Sequence, residues 1–341
     1  MRMPEEAALL ADLVAVPSST WNEENATRLL LSALPRFGWG GAHLDGAGNV
    51  VASRGTGDKE LVLLGHIDTV PGGPVHRIED EVIWGRGAVD AKGPCCAMAV
   101  TGGRVAVPDD WRITLIAAVG EEVDSRGARF RLPLHQPEAC IIGEPTGSDG
   151  VALSYRGRIF FRFAGEDEGG HRSGSPGPMT AAVQATACML GIVDQLGKGY
   201  SIAVMDMEGR EKGARTAEIS LDLRIPTGAD REYLETAIRE TAHAYAIRSE
   251  IIEYVPPYGV HKSDPVVRAF RNAIRACGAT PRILAKQGTA DFNVVSPWGC
   301  SMAAFGPGDS RFDHTADERV PVAEFMKGVE VLKRALPMIM V

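Results

Sequence analysis

The sequence predicts an α/β protein whose sheet is mixed but mostly parallel, interrupted by a smaller inserted α+β domain of ferredoxin-like order. Three observations carry that expectation. Short apolar runs at 61–65, 113–119 and 139–142 alternate with helical stretches at 91–101 and 125–131, as buried parallel strands do. After Leu153 the texture changes, because residues 154–163 alternate apolar and polar like a strand with one buried face. Past Pro256-Pro257-Tyr258-Gly259, which reads as a linker, the first texture returns.

The elements follow in order. Residues 5–16 and 22–34 read as two helices, separated by the turn and capping chemistry of Pro17-Ser18-Ser19-Thr20. The three apolar strands and their two helices come next. In the middle segment a strand at 154–163 is followed by a helix at 179–196, strands near 202–205 and 217–223, a helix at 230–245 and a strand near 250–254. That β-α-β-β-α-β order is the split-βαβ pattern. A helix at 265–277, a strand at 302–305 and a helix at 322–336 close the chain. The expected division is therefore 1–152 and 255–341 for the large domain and 153–254 for the insertion.

Composition narrows the class. Hydrophobic residues at 45% and charged residues at 23% exclude disorder, collagen and coiled coil. A formal charge of −8 argues against nucleic-acid or anionic-membrane partners. No run of 18 or more apolar residues is present, and the first residues lack a signal-peptide layout, so no membrane partner is expected. The six cysteines form no C-x-x-C pair and are expected as reduced, buried thiols in a cytoplasmic protein.

Chemistry gathers at the predicted strand ends. The first strand runs into His66-Ile67-Asp68, the second into Gly120-Glu121-Glu122 and the third into Gly143-Glu144, while Asp90 opens a helix. Ligands of open α/β sheets bind outside the carboxyl ends of the strands. One rim thus receives a histidine and several carboxylates, and His314 supplies a further nitrogen from the tail. Imidazole and carboxylate donors suit zinc or a similar dication. Five such groups exceed one tetrahedral ion but fit two ions sharing a bridging carboxylate. In extended chain Glu121 and Glu122 would point opposite ways, one to metal and one to water as general base.

The segments GHIDTVPG, WGRGAVDAKG, GEEVDSRGAR and IIGEPT, in that order, resemble the ArgE/DapE/aminoacylase/carboxypeptidase family of co-catalytic zinc hydrolases. The resemblance spans the chain. It implies a zinc-exopeptidase-like catalytic domain binding two divalent ions per subunit, zinc or cobalt. It assigns Asp90 as the bridge, His66 and Glu144 to one ion, and Glu122 and His314 to the other. Asp68 would orient His66, and Glu121 would be general base and acid. The insertion resembles the family's lid, which also makes a homodimer contact. His171, in Gly169-Gly170-His171-Arg172-Ser173, stands where the family carries a histidine that stabilises the oxyanion in the partner subunit's site.

Substrate groups follow from the same resemblance. Arg224 matches a lid arginine that clamps the substrate carboxylate. The loops holding Gly288, Thr289 and Gly306 could offer backbone N–H groups to it. These loops, with Asp313-His314-Thr315, look most like the LysK subgroup, which releases lysine or ornithine from the glutamyl end of a small acidic amino-group carrier protein. The lid motif Asn-Val-(Val/Ile)-Pro is replaced here by Ala214-Arg215-Thr216-Ala217-Glu218, which is compatible with a larger acyl partner. Acetyl-lysine or acetylornithine deacetylase, succinyl-diaminopimelate desuccinylase, dipeptidase and an inactive metal-free scaffold are the alternatives.

Overall fold

The structure is a computed structural model and describes residues 3–169, 176–210 and 212–341. The chain runs α1 (Glu5–Ala15), α2 (Glu24–Ala33), β1 (His43–Leu44), β2 (Val50–Gly55), β3 (Lys59–His66), β4 (Arg77–Glu79), β5 (Val82–Trp84) and α3 (Lys92–Gly102). It continues through β6 (Trp111–Ala118), α4 (Arg126–Arg131), β7 (Ala139–Gly143), β8 (Gly150–Tyr155), β9 (Gly157–Asp167), α5 (Gly177–Leu196), β10 (Ser201–Arg210), β11 (Arg215–Ile225), α6 (Arg231–Ala244) and β12 (Arg248–Val255). Last come β13 (Tyr258–Gly259), α7 (Pro265–Ala276), β14 (Arg282–Lys286), α8 (Asp291–Val294), β15 (Ser301–Ala304), β16 (Arg319–Pro321) and α9 (Val322–Ile339). Two compact units emerge: Met1–Leu153 with Val260–Ala285 and Ala290–Val341, and Ser154–Gly259 with Lys286–Thr289.

The first unit is built on a sheet ordered β1-β2-β6-β3-β7-β15-β8. Its centre, β6, β3, β7 and β15, is parallel, and β2 and β8 join it antiparallel at either side. Parallel register sends the ends of β3, β6 and β7 to one rim. Buried runs such as Leu61–Leu64 are apolar throughout because both faces of the sheet are covered. Helix α3 is buried on every side, consistent with a sequence that after Lys92 is apolar or small throughout. Its seat is made by two glycines that pair across β3 and β7, Gly65 and Gly143. A Cβ at either would lie within 2.7 Å of Met98 Cε, so glycine lets α3 press directly onto the strands.

One buried polar cluster interrupts this apolar layer. The Glu60 carboxylate accepts from Thr114 Oγ1 at 2.7 Å, from Arg112 Nη2 at 3.2 Å and from His135 Nδ1 at 3.1 Å. Arg131 donates to His135 Nε2 at 2.6 Å, which leaves the Nδ1 proton aimed at Glu60. Burial alone would raise the Glu60 carboxyl, but these donors outweigh it and hold it down to about 2.

The second unit has a sheet ordered β10-β11-β9-β12, antiparallel throughout. With α5 and α6 between the strands, this is the expected split-βαβ order. Ile159, Phe161 and Phe163 alternate into its core with Ile219, Leu221 and Leu223, and α5 contributes Ala182, Ala185, Met189 and Val193. Helix α5 is 20 residues long and apolar enough to cross a membrane by length and composition. It nonetheless lays one face against this core.

Several expectations need correction. The single strand at 154–163 is two, β8 and β9, broken at Arg156, and the linker at 256–259 contains β13, which pairs with β8. Cys95, Cys96 and Cys140 are buried free thiols as expected, but Cys277 is exposed. It lies just past the end of the amphipathic helix α7, beyond the face that reaches the core.

The Glu60 carboxyl is bound more acidically folded than unfolded, so its stabilisation is complete above about pH 4.5 and is lost as pH falls toward 2. Urea unfolding of wild type and Glu60→Gln should differ by about 2–3 kcal/mol at pH 7. The gap should close between pH 4.5 and 2, and a gap independent of pH would contradict the account.

Candidate metal centre

Three strand ends and one helix start deliver the site. His66 is the last residue of β3, Glu121 and Glu122 lie just past β6, Glu144 just past β7, and Asp90 two residues before α3. The His66 Nδ1 edge meets the Asp68 carbonyl oxygen at 3.0 Å and Asp68 Oδ1 at 3.5 Å. That pairing fixes Nδ1 as the protonated nitrogen and turns Nε2 toward the carboxylates. Nε2 lies 3.2 Å from Asp90 Oδ1 and 3.9 Å from both Glu121 Oε2 and Glu144 Oε1.

Asp90 faces two ways. Its second oxygen, Oδ2, is 3.1 Å from His314 Nε2, which also sits 3.2 Å from Glu122 Oε1. His66, Asp90 and Glu122 each offer one donor atom within 4.8 Å of the others. The donor set is nitrogen and carboxylate oxygen, with one carboxylate spanning two imidazoles. That suits borderline dications.

Asp68, fully buried, does more than hold His66. Its Oδ1 accepts the Glu121 N–H at 3.0 Å and its Oδ2 the Glu122 N–H at 3.2 Å and the Thr20 hydroxyl at 2.8 Å. Burial would raise its carboxyl, but His66, Thr20 and these N–H groups bring it below the usual carboxylate range. The two glutamates do not lie in extended chain as expected. They occupy a turn closed by N–H groups of Val123, Asp124 and Ser125 on the Gly120 carbonyl. Their side chains still part, Glu121 toward His66 and Glu122 toward His314, because the turn separates them.

Two residues missing from the sequence reading complete the cluster. Glu318 Oε1 accepts three backbone N–H groups, from Gly87 at 2.9 Å and from Val89 and Asp90 at 3.0 Å, and Oε2 pairs with Arg86. It shapes the loop that presents Asp90. Asp291 is buried, and among the described residues neither of its oxygens has a partner in hydrogen-bonding geometry. Burial pushes its carboxyl up to about 6, although His66 and Ser125 act against it. Glu318 lies 228 residues from Asp90, between Asp317 and Arg319 in what reads as an ordinary charged stretch. Asp291 lies two residues past Gly288-Thr289 in the same loop, where a carboxylate between Ala290 and Phe292 is a usable sign.

The substrate-binding expectations divide. Arg224 and Thr289 do come together, Arg224 Nη1 donating to Thr289 Oγ1 at 3.2 Å while Nη2 pairs with Asp222 at 2.9 Å. Beside them, Gly288 leaves open space where a side chain would be. Gly306 is a correction: its N–H donates to Thr146 Oγ1 at 3.1 Å and is not free for a substrate carboxylate. A Cβ there would lie 2.4 Å from Pro94, so its role is close packing. His171 lies outside the described residues.

Comparison with known proteins agrees with this geometry. The model of peptidase family M20/M25/M40 matches residues 62–337. The chain belongs to peptidase family M20. An M20 relative from Deinococcus radiodurans, named a LysW-lysine hydrolase, is 34% identical over 96% of this chain and 95% of its own. A LysW-lysine/LysW-ornithine hydrolase of Saccharolobus islandicus is 28% identical over 96% and 94%. The M20 metallo-carboxypeptidase Sso-CP2 of Sulfolobus solfataricus shares the fold, with TM-score 0.81 over 99% of this chain and 100% of that one, at 16% identity. As an M20 member the protein is a metal-dependent hydrolase of amide or peptide bonds. Its α/β fold with a mixed sheet is the M20 fold.

Two predictions follow from this geometry. Without metal, His66 is held well above the usual histidine range: burial works against its charge, but Glu121, Asp68 and Asp90 prevail. His314 is raised to about 10 by its bonds to Asp90 and Glu122. His314 is therefore protonated at pH 7 in the metal-free chain, His66 holds a proton more firmly than a free histidine, and each Nε2 must be free of its proton to ligate. Calorimetric metal titration in buffers of different ionisation enthalpy should report net proton release at pH 7. No net release would refute the ligand roles. Glu318→Ala should weaken metal affinity about 10–100-fold in chelator competition, whereas Glu318→Gln, which keeps the Oε1 acceptor but loses the charge paired with Arg86, should weaken it less.

Proposed function

We propose that this M20 hydrolase releases lysine or ornithine from the glutamyl terminus of a small acidic amino-group carrier protein, using two zinc or cobalt ions. The observation that carries the dinuclear part is Asp90, whose two oxygens face two different histidines. His66 and Glu144 would complete one ion's ligands and Glu122 and His314 the other's. The ions would supply polarisation of the scissile carbonyl and a more acidic water. What supports the carrier substrate is the naming of the Deinococcus and Saccharolobus relatives, similar over nearly the whole chain.

The protein's own groups perform the proton work. Glu121 takes the proton of the attacking water and returns it to the departing amine. Its proton affinity is raised by burial and by the negative charge of Glu144, Asp291 and Glu122, with His66 opposing. Bound dications would bring that affinity back toward the working pH, where a base that later serves as acid is most effective. Asp68 keeps both Glu121 and His66 in place through the bonds described above. Arg224 and Thr289 would bind the amino acid's carboxylate, and His171 would stabilise the oxyanion across a homodimer. A dimer through the second unit fits β10, an edge strand that leaves Val204, Met205 and Met207 exposed.

Parallel turnover of carrier-linked lysine, carrier-linked ornithine, their acetyl analogues and succinyl-diaminopimelate tests the substrate. The carrier-linked amino acids should give the highest kcat/KM. Glu121→Ala should lower kcat by about 100-fold to 10,000-fold with metal content unchanged. Normal turnover by that variant, metal bound, would end the mechanism. Reconstitution with zinc and with cobalt shows which ion supports the faster rate.

A further inference from the structure

Trp21 is an aromatic residue that the mechanism does not use. The residue is 63% exposed, so burial in the core does not account for it. Its backbone φ is 76°, in the left-handed region, where a residue with a Cβ is held at a cost of about 1–2 kcal/mol and glycine is not. Strain at an exposed aromatic points to a use for its side chain.

The residue is also fixed on two sides. The Arg126 guanidinium lies 4.1 Å from the indole centroid, and its Nη2 donates to the buried Glu23 carboxylate at 2.6 Å. Arg126 packs so closely over Gly120 that a Cβ there would sit 2.1 Å from Nη1, which couples the indole to the turn of Glu121 and Glu122. On the other side Thr20 donates to Asp68, Thr20 N–H bonds the Thr69 carbonyl at 3.2 Å, and the Ser18 hydroxyl bonds the Ile67 carbonyl at 2.7 Å. Trp21 is thus one residue, about 3.8 Å of chain, from a direct partner of Asp68. Val123, on the glutamate turn itself, is 57% exposed.

An indole backed on one face by a guanidinium offers its other face as a rigid platform at the rim of the site. The acyl group of a small N-acyl amino acid ends at the reacting carbonyl and gains nothing from such a platform. A polypeptide carrying the acyl group extends beyond it and can. We propose that Trp21, held by Arg126, is the contact by which this hydrolase recognises the polypeptide on the acyl side of the scissile amide. An exposed apolar or backbone segment of that polypeptide stacks on the indole. The inference rests on the carrier-protein reading above and adds the residue that selects it. Trp21 touches the substrate remote from the reacting atoms, so it acts on binding and selection.

The test compares kcat/KM for carrier-linked lysine and for N-acetyl-lysine in wild type, Trp21→Gly, Trp21→Ala and Trp21→Phe. Glycine accepts the left-handed backbone and keeps the segment in place, so an unchanged or higher Tm for Trp21→Gly separates recognition from folding. The ratio of carrier-linked to acetyl turnover should fall about 10–100-fold in the Gly and Ala variants, through KM, as expected for a truncated tryptophan anchor. Phe should retain most of it. If wild type prefers the carrier and the ratio is unmoved, or both substrates suffer equally, this inference falls and the carrier reading stands. If wild type cleaves only the small substrates, the carrier reading and this inference fall together while the hydrolase stands. No turnover of any substrate by metal-loaded protein removes all three.

Discussion

One carboxylate oxygen, Glu318 Oε1, accepts the backbone N–H groups of Gly87, Val89 and Asp90. The rest of the site depends on that convergence, because Asp90 can address two histidines only if its backbone does not move. The opposite flank is held by Lys92, two residues on. Its buried ammonium donates to the carbonyls of Leu13 and Val16 at 2.9 and 2.6 Å, tying the start of α3 to α1. Burial brings the Lys92 amine down to about 8, with the nearby Glu318 charge opposing that fall. Here both groups act as fixtures of the loop between them.

Electrostatics then separates structural carboxylates from working ones. Glu60 and Asp291 belong to the same unit and are both buried, yet one carboxyl is held at about 2 and the other raised to about 6. The difference is donors: Glu60 has a threonine, an arginine and a histidine, while among the described residues neither Asp291 oxygen has a partner in hydrogen-bonding geometry. The metal-centre carboxylates are crowded toward each other, with two histidines as their nearby counter-charges. Such a cluster is costly unless further positive charge enters, which is the physical reason a pair of dications suits it.

What was legible in the sequence was whatever chain periodicity puts at a strand end. His66, Glu121, Glu122 and Glu144 follow apolar runs whose parallel register makes their convergence a matter of topology. Partners brought in from far along the chain were not legible. Glu318 and Asp291 become site residues only when the tail folds back, and neither sits in a periodic pattern. Gly306 was misread because a loop glycine beside a site looks like an N–H donor, whereas here the donor is engaged by Thr146 and the missing side chain is what matters. The glutamate pair parted as expected but for another reason. A turn, not an extended strand, divides them, and a turn built on Gly120 at φ 78° also lets Arg126 pack against it.

The same loops hold much of the chain's backbone strain. Trp21, Ser125 and His314 are non-glycine residues in the left-handed region, at φ 76°, 52° and 59°. Each is on a segment bonded to the site: Trp21 beside Thr20, Ser125 closing the glutamate turn, and His314 against Asp90 and Glu122. A strained residue persists where its surroundings over-determine it. Here the surroundings are the Asp68 carboxylate, the Gly120 carbonyl and the paired carboxylates facing His314. The stability of the buried sheet therefore supports a rim that would relax if left to itself. That arrangement holds two imidazoles and several carboxylates at ligand spacing before any ion arrives, so that binding orders little further chain.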